Sequence, residues 1–157
     1  MEWLRTVRIA IYTCLFATPF LALIVANGLY FPFITGKNFA FRVLIEITFA
    51  LWVILALYDA AYRPRRSLAL ILGGLFVVSI GISTVLAENP VKALWSNFER
   101  MEGYITILHL AMYVVVLTSV MKTEELWKRF FHASLTAASI VALYALMQVG
   151  GFFAFSQ

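Results

Sequence analysis

The chain has 157 residues, of which 63% are hydrophobic and only 13% charged, whereas a soluble domain carries roughly 45–50% apolar and about 25% charged residues. With a mean hydropathy of +0.91, most of its surface suits lipid, which excludes an ordinary soluble globular domain. A net charge of +4 does not imply nucleic-acid binding, because the cations are scattered among the ends of apolar runs rather than gathered on one face; anionic lipid headgroups are the partners such scatter serves.

Five apolar runs follow one another, at residues 7–33, 39–62, 68–87, 104–121 and 130–155. Each approaches or exceeds the ~20 residues a helix needs to cross a ~30 Å hydrocarbon core, and the fourth is the shortest. None alternates with period two, and a backbone in lipid must satisfy its own polar groups, so helices are favoured over a barrel. The sequence therefore predicts an all-α membrane protein, a single bundle of about five transmembrane helices over residues 1–157.

The first run opens like a signal peptide, but it continues for about 25 residues, past the 7–15 of a cleavable segment, which predicts an uncleaved first helix. Pro19 within it predicts a kink. In the third run Gly73, Gly74 and Gly81 predict a face for close helix contact. Trp3, Trp95 and Trp127 fall near predicted helix ends, where an indole suits the headgroup region, whereas Trp52 is expected inside the bundle.

With a cytoplasmic N-terminus, the inner segments hold Arg5, Arg8, Arg63, Arg65, Arg66, Lys122, Lys128 and Arg129, eight of the twelve cations. Lys37, Arg42, Lys92 and Arg100 fall outside. That split obeys the positive-inside rule, and five crossings then place the C-terminus outside.

The polar residues with chemical content lie in or beside the outer segments. In the loop after the third run, Asn89-Pro90 is expected to end the third helix. Leu94, Trp95 and Phe98 would share one side of a short interfacial helix, leaving Lys92, Glu99, Arg100 and Glu102 toward water, headgroups or a partner. The guanidinium of Arg100 suits a phosphate or sugar carboxylate through two parallel bonds; the simpler reading is a solvated cluster of ion pairs worth ~0–1 kcal/mol.

Within the membrane, Glu46 falls roughly 10 Å below the outer end of the second run. Arg42 precedes it by one turn, so an intrahelical pair, structural or functional, is one expectation, and a protonated Glu46 bonded to a neighbouring helix is the other. His109 follows Glu102 by seven residues, and a helix reaching back through the loop end would place both on one face with Thr106 between them. A lone histidine among Leu108, Leu110 and Ala111 reads first as an interhelical hydrogen-bonding residue.

Only one cysteine, Cys14, is present, and no second His or Cys stands at ligand spacing, so neither a disulfide framework, a metal site nor a cofactor is expected. Phosphate-binding glycine loops, dinucleotide fingerprints and nucleophile elbows are missing too. Catalytic residues cannot be derived from the residues alone.

The ordered set formed by residues 31–39 (Phe-Pro-Phe-Ile-Thr-Gly-Lys-Asn-Phe), then Arg42 and Glu46, residues 96–103 (Ser-Asn-Phe-Glu-Arg-Met-Glu-Gly), residues 122–124 and residues 127–130 resembles the N-terminal part of bacterial O-antigen ligase-like membrane proteins. The resemblance implies a polytopic enzyme of the bacterial cytoplasmic membrane that transfers a glycan, without metal, from a polyprenyl-pyrophosphate carrier to an acceptor at the outer face. It implies Lys37, Arg42 and Arg100 as contacts to the anionic donor, with Glu46, Glu99 or Glu102 orienting them. Such proteins carry their basic histidine in a late outer loop, and the pattern here stops before it, so the role is not transferred to His109. The expectation is the N-terminal portion of a longer architecture, completed by a missing C-terminal half. A non-catalytic membrane subunit that binds lipid or scaffolds a protein partner is the alternative.

Overall fold

The computed structural model describes residues 2–26, 28, 31–97 and 102–151. Every regular element among them is helical: α1 (Glu2–Ala17), α2 (Thr35–Tyr58), α3 (Leu68–Val85), α4 (Pro90–Trp95), α5 (Tyr104–Val120) and α6 (Glu124–Val149), with 3-10 turns at Thr18–Leu23 and Ala60–Tyr62. Four segments are long and apolar enough to cross a membrane: Glu2–Leu23, Thr35–Tyr58, Leu68–Val85 and Glu124–Val149. The fifth expected crossing, α5, is an apolar helix of 17 residues. At 1.5 Å per residue it is about 25 Å long, short of the hydrocarbon thickness.

Local chemistry moves several boundaries from their expected places. Pro19 does not kink a continuing α-helix; it ends α1. Without an N–H at Pro19 the Leu15 carbonyl loses its helical donor, and the Thr18 hydroxyl donates to it instead. From there the chain tightens into the 3-10 turn. Asn89-Pro90 likewise starts a helix rather than ending one. α3 stops at Val85, and the Asn89 side chain accepts the Lys92 N–H at 3.1 Å, with Pro90 at the first helical position, where its missing N–H costs nothing.

α4 closes at Ser96, whose φ of 63° and ψ of −161° lie in a region that glycine favours. Replacing Ser96 by Gly is expected to raise stability by about 1 kcal/mol, seen as a higher unfolding midpoint in detergent; an unchanged or lower midpoint would count against strain there.

The apolar core is gathered toward one end of the bundle. Ile11 and Leu15 of α1, Trp52 and Leu55 of α2, Val116 and Val120 of α5, and Phe130 of α6 form its buried cluster. Trp52 is held inside by its indole N–H, which donates to the Tyr62 carbonyl at 3.0 Å. At the same end Trp127 donates to the Met121 carbonyl at 3.0 Å. Trp3 and Trp95 are each a little under half exposed.

α2 packs between α1 and α5, α3 leans on α5, and α6 crosses the 3-10 turn after α1. α3 exposes Leu68, Leu72, Leu75, Phe76 and Val85, which in a membrane face lipid. Of its three glycines, Gly81 makes the expected close contact, against the ring of Tyr104, whereas Gly73 and Gly74 face open space.

Candidate functional site

The polar residues of α2 and α5 meet at the end of the bundle away from the apolar core. Arg42 donates from Nη2 to the Thr106 hydroxyl at 2.8 Å, and one turn further along Glu46 Oε1 lies 3.0 Å from His109 Nε2. Because residue 42 meets 106 and residue 46 meets 109, the two helices run in the same direction. The spacing of four on α2 matches the spacing of three on α5, so both polar rungs form together.

Arg42 and His109 are each only 8% exposed, while the Glu46 side chain is 62% exposed. The carboxylate thus stands at the margin of the helix pair, and the imidazole that holds it lies inside. α2 begins at Thr35, four residues before the second apolar run, which sets Glu46 about 16 Å along that helix. Of the two expectations for Glu46, the intrahelical pair is not made and the bond to a neighbouring helix is. The Glu46 hydrogen bond goes across to His109 rather than back to Arg42.

The protonation logic of the second rung follows from its hydrogen bonds. His109 Nδ1 lies 2.7 Å from the Ile105 carbonyl oxygen, and a carbonyl only accepts, so Nδ1 carries a hydrogen. One further proton sits between Nε2 and Oε1. Whether imidazolium faces carboxylate or neutral imidazole faces carboxylic acid, the pair is neutral as a whole, which lowers the cost of placing it in a membrane.

The start of α5 is fixed by two contacts. The Tyr104 hydroxyl donates to the Val77 carbonyl of α3 at 3.2 Å, and Gly103 lies directly against the backbone of Leu94 and Ser96. No side chain fits there. α5 begins after extended backbone at Gly103, so Glu102 is not on its helical face and does not share that face with His109 as the seven-residue spacing had suggested. Glu102 is exposed. Lys37, five residues before Arg42, points to a different side of α2 and is partly exposed. Glu99 and Arg100 lie outside the described residues, as does Phe98.

No protein-family model, curated protein or solved structure matches this chain. The site therefore stands on its own geometry. Among the described residues no group of three His, Cys, Asp or Glu side chains is placed to hold a metal ion. What the geometry brings together is a nearly buried guanidinium, a hydroxyl and a proton-sharing acid–imidazole pair. Thr106 is the member that sequence reasoning undervalued. Its signal was register: Thr106 precedes His109 by nearly the same rise that separates Arg42 from Glu46.

Proposed function

We propose that this chain is the N-terminal part of a glycan ligase or polymerase of the bacterial cytoplasmic membrane, with α5 as a short fifth crossing and the N-terminus cytoplasmic. In this reading the Arg42–Thr106 and Glu46–His109 rungs belong to the outer-leaflet site for a polyprenyl-pyrophosphate-linked glycan. The observation that carries it is Arg42: a residue 8% exposed whose guanidinium sits beside a hydroxyl at 2.8 Å, in a chain otherwise built for lipid. A lipid-linked pyrophosphate is the kind of anion that reaches such a depth, and its departure develops negative charge that a fixed cation stabilises. Glu46 and His109 then position α2 against α5, keeping Arg42 in place, and Lys37 and Arg100 add charge nearer the outer surface.

The test is equilibrium binding of a polyprenyl-pyrophosphate-linked glycan to the chain in nanodiscs. Arg42→Ala is expected to weaken binding by about tenfold or more, the worth of a charged hydrogen bond, and Arg42→Lys to recover only part of it, because an ammonium cannot make the paired contact. Equal affinity for the uncharged polyprenol, or no loss in Arg42→Ala, would refute the reading.

A second reading, a non-catalytic membrane subunit, has one observation in its favour. Both ring nitrogens of His109 are engaged, by Ile105 and by Glu46, so this pair is not an idle general base. A folded chain that binds no donor would support that reading.

A further inference from the structure

The opposite end of α1 carries a second polar feature that the donor site does not use. A cleft of ≈ 210 Å³ opens there, lined by Leu4, Arg5, Arg8, Leu55, Asp59 and Tyr62. Its walls come from α1 and from the end of α2 with the 3-10 turn that follows. We infer that this cleft binds the phosphate of an anionic phospholipid headgroup.

The donors for a phosphate are already in position. Arg8 gives one N–H from Nη1 to the Tyr62 hydroxyl at 3.0 Å, which aims the guanidinium into the cleft and leaves its other donors for a ligand. Arg5, one turn earlier on the same side of α1, is exposed and has no hydrogen-bonding or ionic partner among the described residues. Tyr62 accepts from Arg8, so its own O–H is available to donate.

The frame around these donors is rigid. The Tyr62 carbonyl takes the buried Trp52 indole N–H at 3.0 Å, and the Lys122 ammonium sits 3.6 Å from the centre of the Tyr62 ring. Lys122 also donates to the Ala61 carbonyl. Asp59 is the one acid in the cleft, and it opposes an anion. It also accepts the Ala61 N–H at 2.9 Å, and three cations, Arg5, Arg8 and Lys122, outweigh it.

Free phosphate would present the same chemistry, and the apolar surroundings favour lipid as its source. Further along α1, Tyr12 and Phe16 continue the face of Arg5 and Arg8 at helical spacing, and with Thr13 and Ala17 they line an open apolar hollow of ≈ 470 Å³. A headgroup in the cleft would lay its acyl chain along that hollow. The neighbouring Arg63, Arg65 and Arg66 place the cleft at the most basic edge of the chain, where anionic lipid concentrates.

The full chain would be reconstituted in nanodiscs of equal phosphatidylglycerol and phosphatidylcholine, extracted into detergent, and its retained lipid counted by mass spectrometry. Wild type is expected to retain phosphatidylglycerol preferentially. Arg5→Gln, which breaks no contact of the fold, is expected to reduce that preference about fivefold. Tyr62→Phe, which keeps the ring beneath Lys122, is expected to reduce it as well, whereas Arg65→Gln, the same loss of charge outside the cleft, is expected to leave it intact. Circular dichroism of each variant separates lost binding from lost fold. Equal loss in Arg5→Gln and Arg65→Gln would overturn the inference in favour of diffuse charge attraction, and so would equal retention of both lipids by wild type. Displacement of the lipid by inorganic phosphate, or saturable phosphate binding in pure phosphatidylcholine discs, would overturn the lipid source.

Discussion

Replacing Gly103 by Ala is expected to destabilise the protein by about 3 kcal/mol, the upper end for overpacking a tight contact. A methyl group at this position would lie on the Leu94 carbonyl and 2.7 Å from the Ser96 nitrogen. Both are backbone atoms at the end of α4, so neither can swing aside as a side chain would. Relief requires α4 to move away from the start of α5, and Gly103 is three residues before Thr106, whose N–H bonds the Gly103 carbonyl at 2.9 Å. Among the glycine substitutions, this is the one expected to disturb the polar rungs most, although it removes no polar group.

The other helix-contact glycines supply a graded comparison. A methyl at Gly81 would meet the Tyr104 hydroxyl at 2.6 Å, a side-chain end that can shift at the cost of its bond to Val77, worth about 1 kcal/mol. At Gly73 and Gly74 it would meet nothing, so Ala there is expected to leave stability unchanged or slightly raised. Unfolding of all four variants in one detergent tests the order, and a Gly103→Ala midpoint equal to that of Gly73→Ala would show that the α4–α5 junction is not close-packed.

The second large effect is a failure of additivity at the Glu46–His109 pair. His109→Leu is expected to cost about 2–3 kcal/mol, because Glu46 is left without its partner at membrane depth. Replacing both residues by Leu is expected to return stability to within about 1 kcal/mol of wild type, since removing a whole polar pair avoids the stranded charge. Reversible unfolding in mixed micelles supplies the double-mutant cycle, and energies that simply add would mean that the two side chains are not in contact. Glu46→Gln separates charge from shape: the amide can still donate to or accept from His109, so retained stability would point to hydrogen bonding alone.

Glu46 and His109 are 63 residues apart in sequence, and Arg42 and Thr106 are 64. Each stood out separately, as a polar residue in an apolar run, but their association was not legible. A soluble amphipathic helix declares which side faces the core, because its other side is polar. Here the helices are apolar on the lipid side as well, so the sequence carries little information about rotation. Arg42 and Glu46, one turn apart, invited pairing within α2, whereas their shared face turns both toward α5. Glu102 and His109 invited a common face, which the extended backbone at Gly103 prevents.

Read alone, the sequence establishes the class of the protein and the neighbourhoods in which its helices are interrupted. Long apolar runs demand a lipid solvent, lipid demands internally bonded backbone, and Pro19 and Asn89-Pro90 each mark an interruption close by. These are one-residue and nearest-neighbour effects, so they are legible without the fold. The packed fold alone shows that α2 and α5 lie in register, that Arg8 reaches Tyr62 across 54 residues, and that Gly103 rather than Gly73 or Gly74 marks a tight approach. Those depend on the relative rotation and height of helices, which packing sets and local sequence does not.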